Sequence, residues 1–389
     1  MFKKVFKRVK LKIKLLKIGV LNQKKVRNFD FEYSWRGLHL DVARHAVSLQ
    51  YLYSLIDKLS ENNLNRLHLH LTDDQGWRIE IEKYPLLHEK GSVRKETVIE
   101  KNFPTPWMPF TKYKGDKKEY KFYYTKQELK ALDRYAKEKG VTIVPEIDIP
   151  GHVTAMLYAY PEYSAGKAPK KVETYWGIFP NVVKDDSKTI NFLKDIFDEL
   201  IEVFSGEYIH IGGDEVPLKN YDGDKEKYNR VLREIALYLK SKNKKVIMWE
   251  DAFEVALETN SILMCWQDIW IGKDFIKKGG SAIFCPANYL YLDYYQSEKK
   301  TEPLAIGGYI PLEKIYNFKL EEELGYNFFN KHEKQILGVQ ANLWTEYLNT
   351  EEKVNYMLFP RFYALAEVAN RSNNNFKKFK NKLKEEGRL

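Results

Sequence analysis

Apolar residues along this chain recur in two alternating rhythms. Short, nearly unbroken apolar runs stand at Gly37–Val42, Arg66–Thr72, Thr142–Ile147, Tyr208–Ile211, Lys245–Trp249, Ile262–Cys265, Ser281–Cys285 and Gln335–Gln340. Between them, stretches such as Ser48–Ser60, Lys126–Lys139, Ile190–Phe204 and Lys225–Lys242 carry apolar residues at helical spacing. A strand buried on both faces reads as a continuous run, as a parallel sheet requires. Eight such runs alternating with helices predict the α/β class and, within it, a (β/α)8 TIM barrel. An open doubly wound sheet is the alternative, but no glycine-rich phosphate turn follows the first run. With no Pro/Ser-rich linker, the expected organisation is a basic tail over 1–30 and a single catalytic domain over 31–389.

Barrels place their chemistry at the C-terminal ends of strands. Polar and aromatic residues follow nearly every run: Asp41 and Arg44, Asp73 and Asp74, Glu146, Asp148 and His152, Trp249, Glu250 and Asp251, Trp266 and Asp268, Tyr291 and Asp293, Trp344 and Glu346. The most informative end is Tyr208-Ile209-His210-Ile211-Gly212-Gly213-Asp214-Glu215, where an apolar run stops at two glycines and presents adjacent carboxylates. Solvated acids beyond a Gly-Gly turn are the plain reading of that segment alone. Repetition at the other strand ends favours a site.

Charge and composition narrow the class. The net charge of +10 misleads, because residues 1–27 hold eleven of the 64 basic residues and no acid, leaving 53 bases against 54 acids in the body. A neutral body gives no nucleic-acid groove. In the tail, Lys10, Lys12, Lys14 and Lys17 interrupt every apolar stretch, so neither a cleavable signal nor a membrane span is expected. A solvated basic arm is the preferred reading, with weak contact to an anionic membrane surface as its rival. Only Cys265 and Cys285 are present, which fits reduced thiols and a cytoplasmic location. Aromatic residues make up 14% of the chain, a composition suited to stacking on sugar rings and equally common in cores.

From about Tyr33 to Asn370 the sequence resembles the catalytic domain of glycoside hydrolase family 20 β-N-acetylhexosaminidases. The resemblance rests on Trp35-Arg36-Gly37-Leu38-His39-Leu40-Asp41-Val42-Ala43-Arg44-His45 and on His68-Leu69-His70-Leu71-Thr72-Asp73-Asp74-Gln75-Gly76-Trp77-Arg78. Pro145-Glu146-Ile147-Asp148-Ile149-Pro150-Gly151-His152, the Gly-Gly-Asp-Glu run, Met248-Trp249-Glu250-Asp251 and Gln340-Ala341-Asn342-Leu343-Trp344-Thr345-Glu346 follow in family order. It implies exo-cleavage of terminal β-linked N-acetylglucosamine or N-acetylgalactosamine, through a retaining reaction in which the 2-acetamido oxygen of the sugar attacks the anomeric carbon. By resemblance, Glu215 is the acid and then the base. Asp214 holds the acetamide N–H, and His152 and Asp73 orient Glu215. Trp249, Trp266 and Trp344 resemble the walls of the acetamide pocket, and Tyr291 the donor to the acetamide oxygen. Arg36 resembles the fork for the 3- and 4-hydroxyls, and Asp293 and Glu346 the acceptors for the 4- and 6-hydroxyls. Glu146, Asp148, Arg44 and His210 are expected to support the site from behind. No metal and no cofactor are implied, and the partner is an oligosaccharide or glycoconjugate ending in β-N-acetylhexosamine, with no nucleic acid.

Family members mostly carry an extra α+β domain before the barrel, so this chain is expected to be a compact, single-domain form. The stretch from Gly91 to Tyr123, with Pro104, Pro106, Trp107 and Pro109, is expected to be a long loop over the site. Two other classes compete. His68 and His70, two apart in a strand, could bind zinc in a metal-dependent barrel hydrolase. A non-catalytic sugar-binding barrel would have lost an acid or a pocket wall, and neither loss is visible in the motifs quoted.

Overall fold

A computed structural model of the chain describes residues 32–101 and 113–389. The eight predicted runs close into a parallel barrel: β1 (Trp35–Asp41), β2 (Arg66–His70), β3 (Thr142–Ile149), β4 (Tyr208–Gly212), β5 (Lys245–Trp249), β6 (Ile262–Cys265), β7 (Ser281–Phe284) and β8 (Ile336–Leu343). Each strand pairs with its sequence neighbours, and β8 closes on β1 in a register that sets Trp35 beside Gly338 and Leu40 beside Leu343. Thr72, predicted as the last residue of β2, instead leaves the barrel with Asp73 to form a separate short ribbon with Gly76–Trp77.

The helices form because their apolar positions fall on one face and their first turns are capped. In α1 (Leu49–Glu61), Leu52, Leu55, Ile56 and Leu59 are buried, and Ser48 accepts from the Tyr51 N–H. Thr125 and Glu128 make a reciprocal capping box on α2 (Lys126–Glu138). Asp186 caps α3 (Ser187–Val203) and Asp224 caps α4 (Lys225–Ser241). Asp268 caps α5 (Ile269–Lys277) through the Trp270 N–H. That last carboxylate is therefore used for structure, not for the site. No helix among the described residues is long and apolar enough to cross a membrane.

Apolar burial divides into a shell and a lumen. The larger core lies between strands and helices, where residues such as Leu67, Leu132, Phe197 and Leu232 are fully buried, each such side chain stabilising the fold by roughly 1.5–3 kcal/mol. Inside the barrel, Trp35, Val144, Ile247, Met264 and Ile283 pack together. Above them the lumen turns polar: His39, His68, His70, Glu146, His210, Gln340 and Asn342 are all fully buried. The strands are thus not apolar throughout, as the sequence had suggested. Their polar members face inward.

The basic tail and the Pro104, Pro106, Trp107 and Pro109 segment lie outside the described residues. The flanks of that segment are tied by an antiparallel pairing of Val93–Arg94 with Tyr120–Lys121.

Candidate active site

A cavity of about 210 Å³ opens where the strands end. Its lining brings together ten of the eleven residues predicted for the site: Asp73, His152, Asp214, Glu215, Trp249, Trp266, Tyr291, Asp293, Trp344 and Glu346. Arg44, Tyr294 and Ile306 complete it.

Arg36 does not reach it. Arg36 is the second residue of β1, at the opposite end of the barrel, and its guanidinium donates to the carbonyls of Tyr33 and Asn63 and to Asn63 Oδ1. The pocket arginine is Arg44, in the turn that follows β1. Strand direction alone separates the two, because only residues beyond Asp41 emerge on the catalytic face. Arg44 Nε donates to Gln75 Oε1 at 2.9 Å, Nη2 pairs with Asp73 Oδ2 at 2.7 Å, and the guanidinium lies 5.2 Å over the Trp344 ring. Burial opposes its charge, but Asp73, Asp41 and Glu346 outweigh that cost and hold it firmly cationic.

The two adjacent acids are presented by a bent strand end. Gly212 has φ +72°, and a Cβ there would sit 1.7 Å from Asp148 Oδ1; no larger residue fits this approach of the chain to the carboxylate. Glu215 itself sits at φ +51°, and His152, across the barrel mouth, at φ +52°. Each such non-glycine residue stores about 1–3 kcal/mol of strain, and here the strained pair face each other. His152 Nε2 lies 3.7 Å from Glu215 Oε2 and 3.9 Å from Asp214 Oδ2. Nδ1 of the same ring meets Asp73 Oδ1 at 3.4 Å and Asp74 Oδ2 at 3.3 Å. His152 does not cap the helix that follows, whose N-cap is Val153 with no side-chain cap.

Protonation follows from these contacts. Burial works against charge on His152, yet Asp73, Asp74 and Glu215 raise its pKa well above the ordinary imidazole value. Asp73 goes the other way: Arg44 and His152 overcome its burial and keep it ionised. Asp214 is pushed up to about 7, chiefly by burial, with His152 pulling down and Asp251, Glu215 and Glu146 adding repulsion. Behind it, Asp148 is raised by burial and by the charge of Asp214. Glu215 keeps 36% of its side chain exposed, so solvent reaches its carboxylate.

Aromatic rings wall the remainder. Trp266 and Tyr291 lie nearly parallel at 6.2 Å, and Trp249 and Trp344 approach at 6.1 Å. Trp266 is tied by its Nε1–H to Asp251 Oδ2, and Asp251 Oδ1 in turn accepts from the Glu215 N–H at 3.4 Å. Asp214 Oδ1, Asp293 Oδ1 and Glu346 Oε2 are buried and have no hydrogen-bond partner among the described residues. They are costly to leave so unless a ligand supplies donors. Glu346 is pushed up to about 7, first by burial, against the pull of Arg44.

Groups that could hold a metal ion form five clusters among the described residues. Four of them depend on His70 or His152. His70, like His152, is raised well above its ordinary value, because Glu146 and Asp73 outweigh its burial. Of the His68/His70 pair considered for zinc, His70 Nδ1 is hydrogen-bonded to Glu146 Oε2 at 2.6 Å, and His68 Nε2 lies 3.1 Å from the same oxygen.

The profile of glycosyl hydrolase family 20, catalytic domain, matches residues 33–372. A β-hexosaminidase of Porphyromonas gingivalis is 34% identical over 354 residues, covering 86% of this chain and 43% of that protein. A β-N-acetylhexosaminidase of Cellulomonas fimi is 32% identical, covering 87% and 63%. This chain thus spans about half the length of such relatives. Among solved structures, the exo-β-N-acetylglucosaminidase of Vibrio harveyi, in complex with N-acetylglucosamine, superposes with a TM-score of 0.75 at 28% identity, over 90% of this chain and 57% of that one. A mutant Streptomyces plicatus β-hexosaminidase, in complex with its product N-acetylglucosamine, gives 0.73 at 28% identity, over 90% and 66%. Strand order, the paired acids beyond β4 and the match over nearly the whole barrel agree: the chain belongs to glycosyl hydrolase family 20, whose catalytic domain it carries.

Proposed function

We propose that this chain is an exo-acting β-N-acetylhexosaminidase, removing terminal β-linked N-acetylglucosamine or N-acetylgalactosamine from an oligosaccharide or glycoconjugate. The observation that carries the reading is His152 standing within 4 Å of both Asp214 and Glu215 at the edge of an aromatic-walled cavity. Acids adjacent in sequence are poorly disposed to flank a glycosidic bond as acid and nucleophile, so the nucleophile is the substrate's acetamide oxygen.

The acetamide oxygen forms a bond to the anomeric carbon as the glycosidic C–O bond breaks, and Glu215 gives its proton to the departing oxygen. The positive charge spreads over the oxazolinium, whose N–H faces Asp214. Water then attacks the anomeric carbon from the vacated side and yields its proton to Glu215, restoring the acetamide with retention. An ionised Asp214 placed where charge develops is electrostatic catalysis. Its pKa of about 7 in the free protein falls once the acetamide N–H and the growing cation arrive. Arg44, Asp293 and Glu346 are the groups disposed to grip the sugar hydroxyls.

The test is hydrolysis of an aryl β-N-acetylglucosaminide, its galactosamine epimer and the plain β-glucoside. Cleavage of the acetamido substrates alone, with turnover lost by about a hundredfold or more in Glu215→Gln, supports the reading. Equal cleavage of the glucoside would reject the acetamide as nucleophile. Binding of N-acetylglucosamine without cleavage would make the barrel a sugar-binding protein.

A further inference from the structure

Beneath the cavity the polar lumen contains one carboxylate that the proposed reaction leaves without a role. Glu146 is fully buried in β3, and the strand register sets His70 of β2 and His210 of β4 beside it. Oε2 meets His70 Nδ1 at 2.6 Å and His68 Nε2 at 3.1 Å. Oε1 accepts from Trp249 Nε1 at 2.8 Å and lies 2.9 Å from His210 Nδ1. Each oxygen thus accepts one hydrogen bond, from His70 and from Trp249, while His68 and His210 stand close by, the latter's Nδ1 also accepting from the Gly212 N–H.

Two of those partners lead out to the reacting groups. Trp249 lines the cavity. His70 passes through Nε2 to Asp73 Oδ2 at 2.9 Å, Asp73 Oδ1 faces His152 at 3.4 Å, and His152 faces Glu215 at 3.7 Å. Carboxylates and imidazoles alternate along the whole path. Burial acts against charge at Glu146, but His210, His70 and His68 hold it ionised.

We infer that Glu146 is a positioning residue shared by the two halves of the site, fixing Trp249 on the acetamide side and, through His70 and Asp73, the imidazole that orients Glu215. The inference rests on the proposed hexosaminidase reading. It predicts that acetamide binding and proton transfer are coupled through one buried group. A carboxylate that merely filled the lumen would change stability and leave both functions intact.

Glu146→Gln keeps the shape and removes the charge. The variant is compared with the wild type by circular dichroism, by Michaelis kinetics on the aryl β-N-acetylglucosaminide, and by 15N NMR of the imidazoles, with His70→Gln assigning the His70 signals. The expected result is a folded protein with kcat lowered about tenfold or more, KM raised about threefold or more, and loss of the doubly protonated His70 signature at pH 7. Unchanged kinetics with an unchanged His70 signature overturn the inference. Should the variant not accumulate folded, His70→Gln and Trp249→Phe are combined instead. Losses in kcat/KM that differ from the product of the single losses by about threefold support a shared node; losses that multiply overturn it. Absence of cleavage by the wild type would count against the hexosaminidase reading alone. Glu146 would then be judged by the imidazole signature and by the affinity of Glu146→Gln for N-acetylglucosamine, both unchanged if the inference is wrong.

Discussion

Asp214→Asn should make the protein more stable above neutral pH while disabling it. Asp214 is buried beside Asp148, and its carboxyl holds its proton to about 7 instead of 3.8. Between those values the folded chain keeps a proton that the unfolded chain has lost. Stability therefore declines as pH climbs through that window, and the penalty is complete above pH 7. A tenfold change in acidity is worth 1.36 kcal/mol, so the full penalty approaches about 4 kcal/mol. The pair with Asp148 shares this cost, and an asparagine still carries a polar group into the site, so a gain of about 1–4 kcal/mol is expected at pH 8. Unfolding a chain of this length carries an entropy of about 0.8 kcal/mol/K, so the melting temperature should rise by up to ~5 °C. At pH 4 wild type and variant should melt together. On the proposed mechanism the same substitution also removes the carboxylate that faces the developing oxazolinium charge, which should lower kcat by about 10²–10³. Calorimetric melting of both proteins across pH 4–8, beside aryl-substrate kinetics, measures the two effects. A variant no more stable than the wild type at pH 8, or one stabilised equally at every pH, would refute the electrostatic account of this residue.

Three further expectations separate neighbouring readings. Arg44→Ala should lower kcat/KM by about a hundredfold or more, through loss of a charge-assisted fork, whereas Arg36→Ala should leave it within about twofold; equal losses in steady-state kinetics would contradict the placement of Arg44 in the pocket. Gly212→Ala places a Cβ 1.7 Å from Asp148 Oδ1 at φ +72°, so denaturant unfolding should show a loss of at least ~2 kcal/mol; wild-type stability would mean that the bend relaxes. For the basic segment before residue 28, the expected behaviour is that of a solvated arm, with equally little sedimentation on neutral and anionic vesicles. Sedimentation that requires anionic lipid, and that vanishes on deleting residues 1–27, would establish a membrane-surface contact instead.

The barrel was legible because parallel strands buried on both faces leave unbroken apolar runs, and the helices between them repeat at their own period. The Lys245–Trp249 and Ile262–Cys265 runs match their strands end to end. Gln335–Gln340 falls short of β8, which continues to Leu343. The reason is chemical. Gln340 and Asn342 are fully buried but face the lumen, and a polar residue on that face reads in sequence as the end of a strand. The same blindness hid the polar lumen, since the histidines of β2 and β4 look like interruptions of an apolar run until the barrel closes around Glu146.

The residues that line the cavity were legible for a different reason, and Arg36 shows where that reason fails. Ten of the predicted residues lie at or beyond the C-terminal end of a strand, and all ten line the cavity. Only motif likeness points to Arg36, which stands at the start of its strand. In a barrel the direction of the chain decides which end a side chain serves, and a rise of roughly 3.3 Å per residue puts Arg36 and Asp41 some 16 Å apart along β1. No rotamer of an arginine spans that gap through a filled lumen. Arg44, three residues beyond Asp41, needed no such reach: Asp41 accepts from the Ala43 and Arg44 backbone N–H groups and turns the chain over the barrel mouth. The carboxylate that makes that turn also pairs with the Arg44 guanidinium at 3.4 Å, so backbone and side chain are aimed by the same group. Position along the strand is therefore the stronger warrant, and motif likeness names a pocket residue only where the two agree.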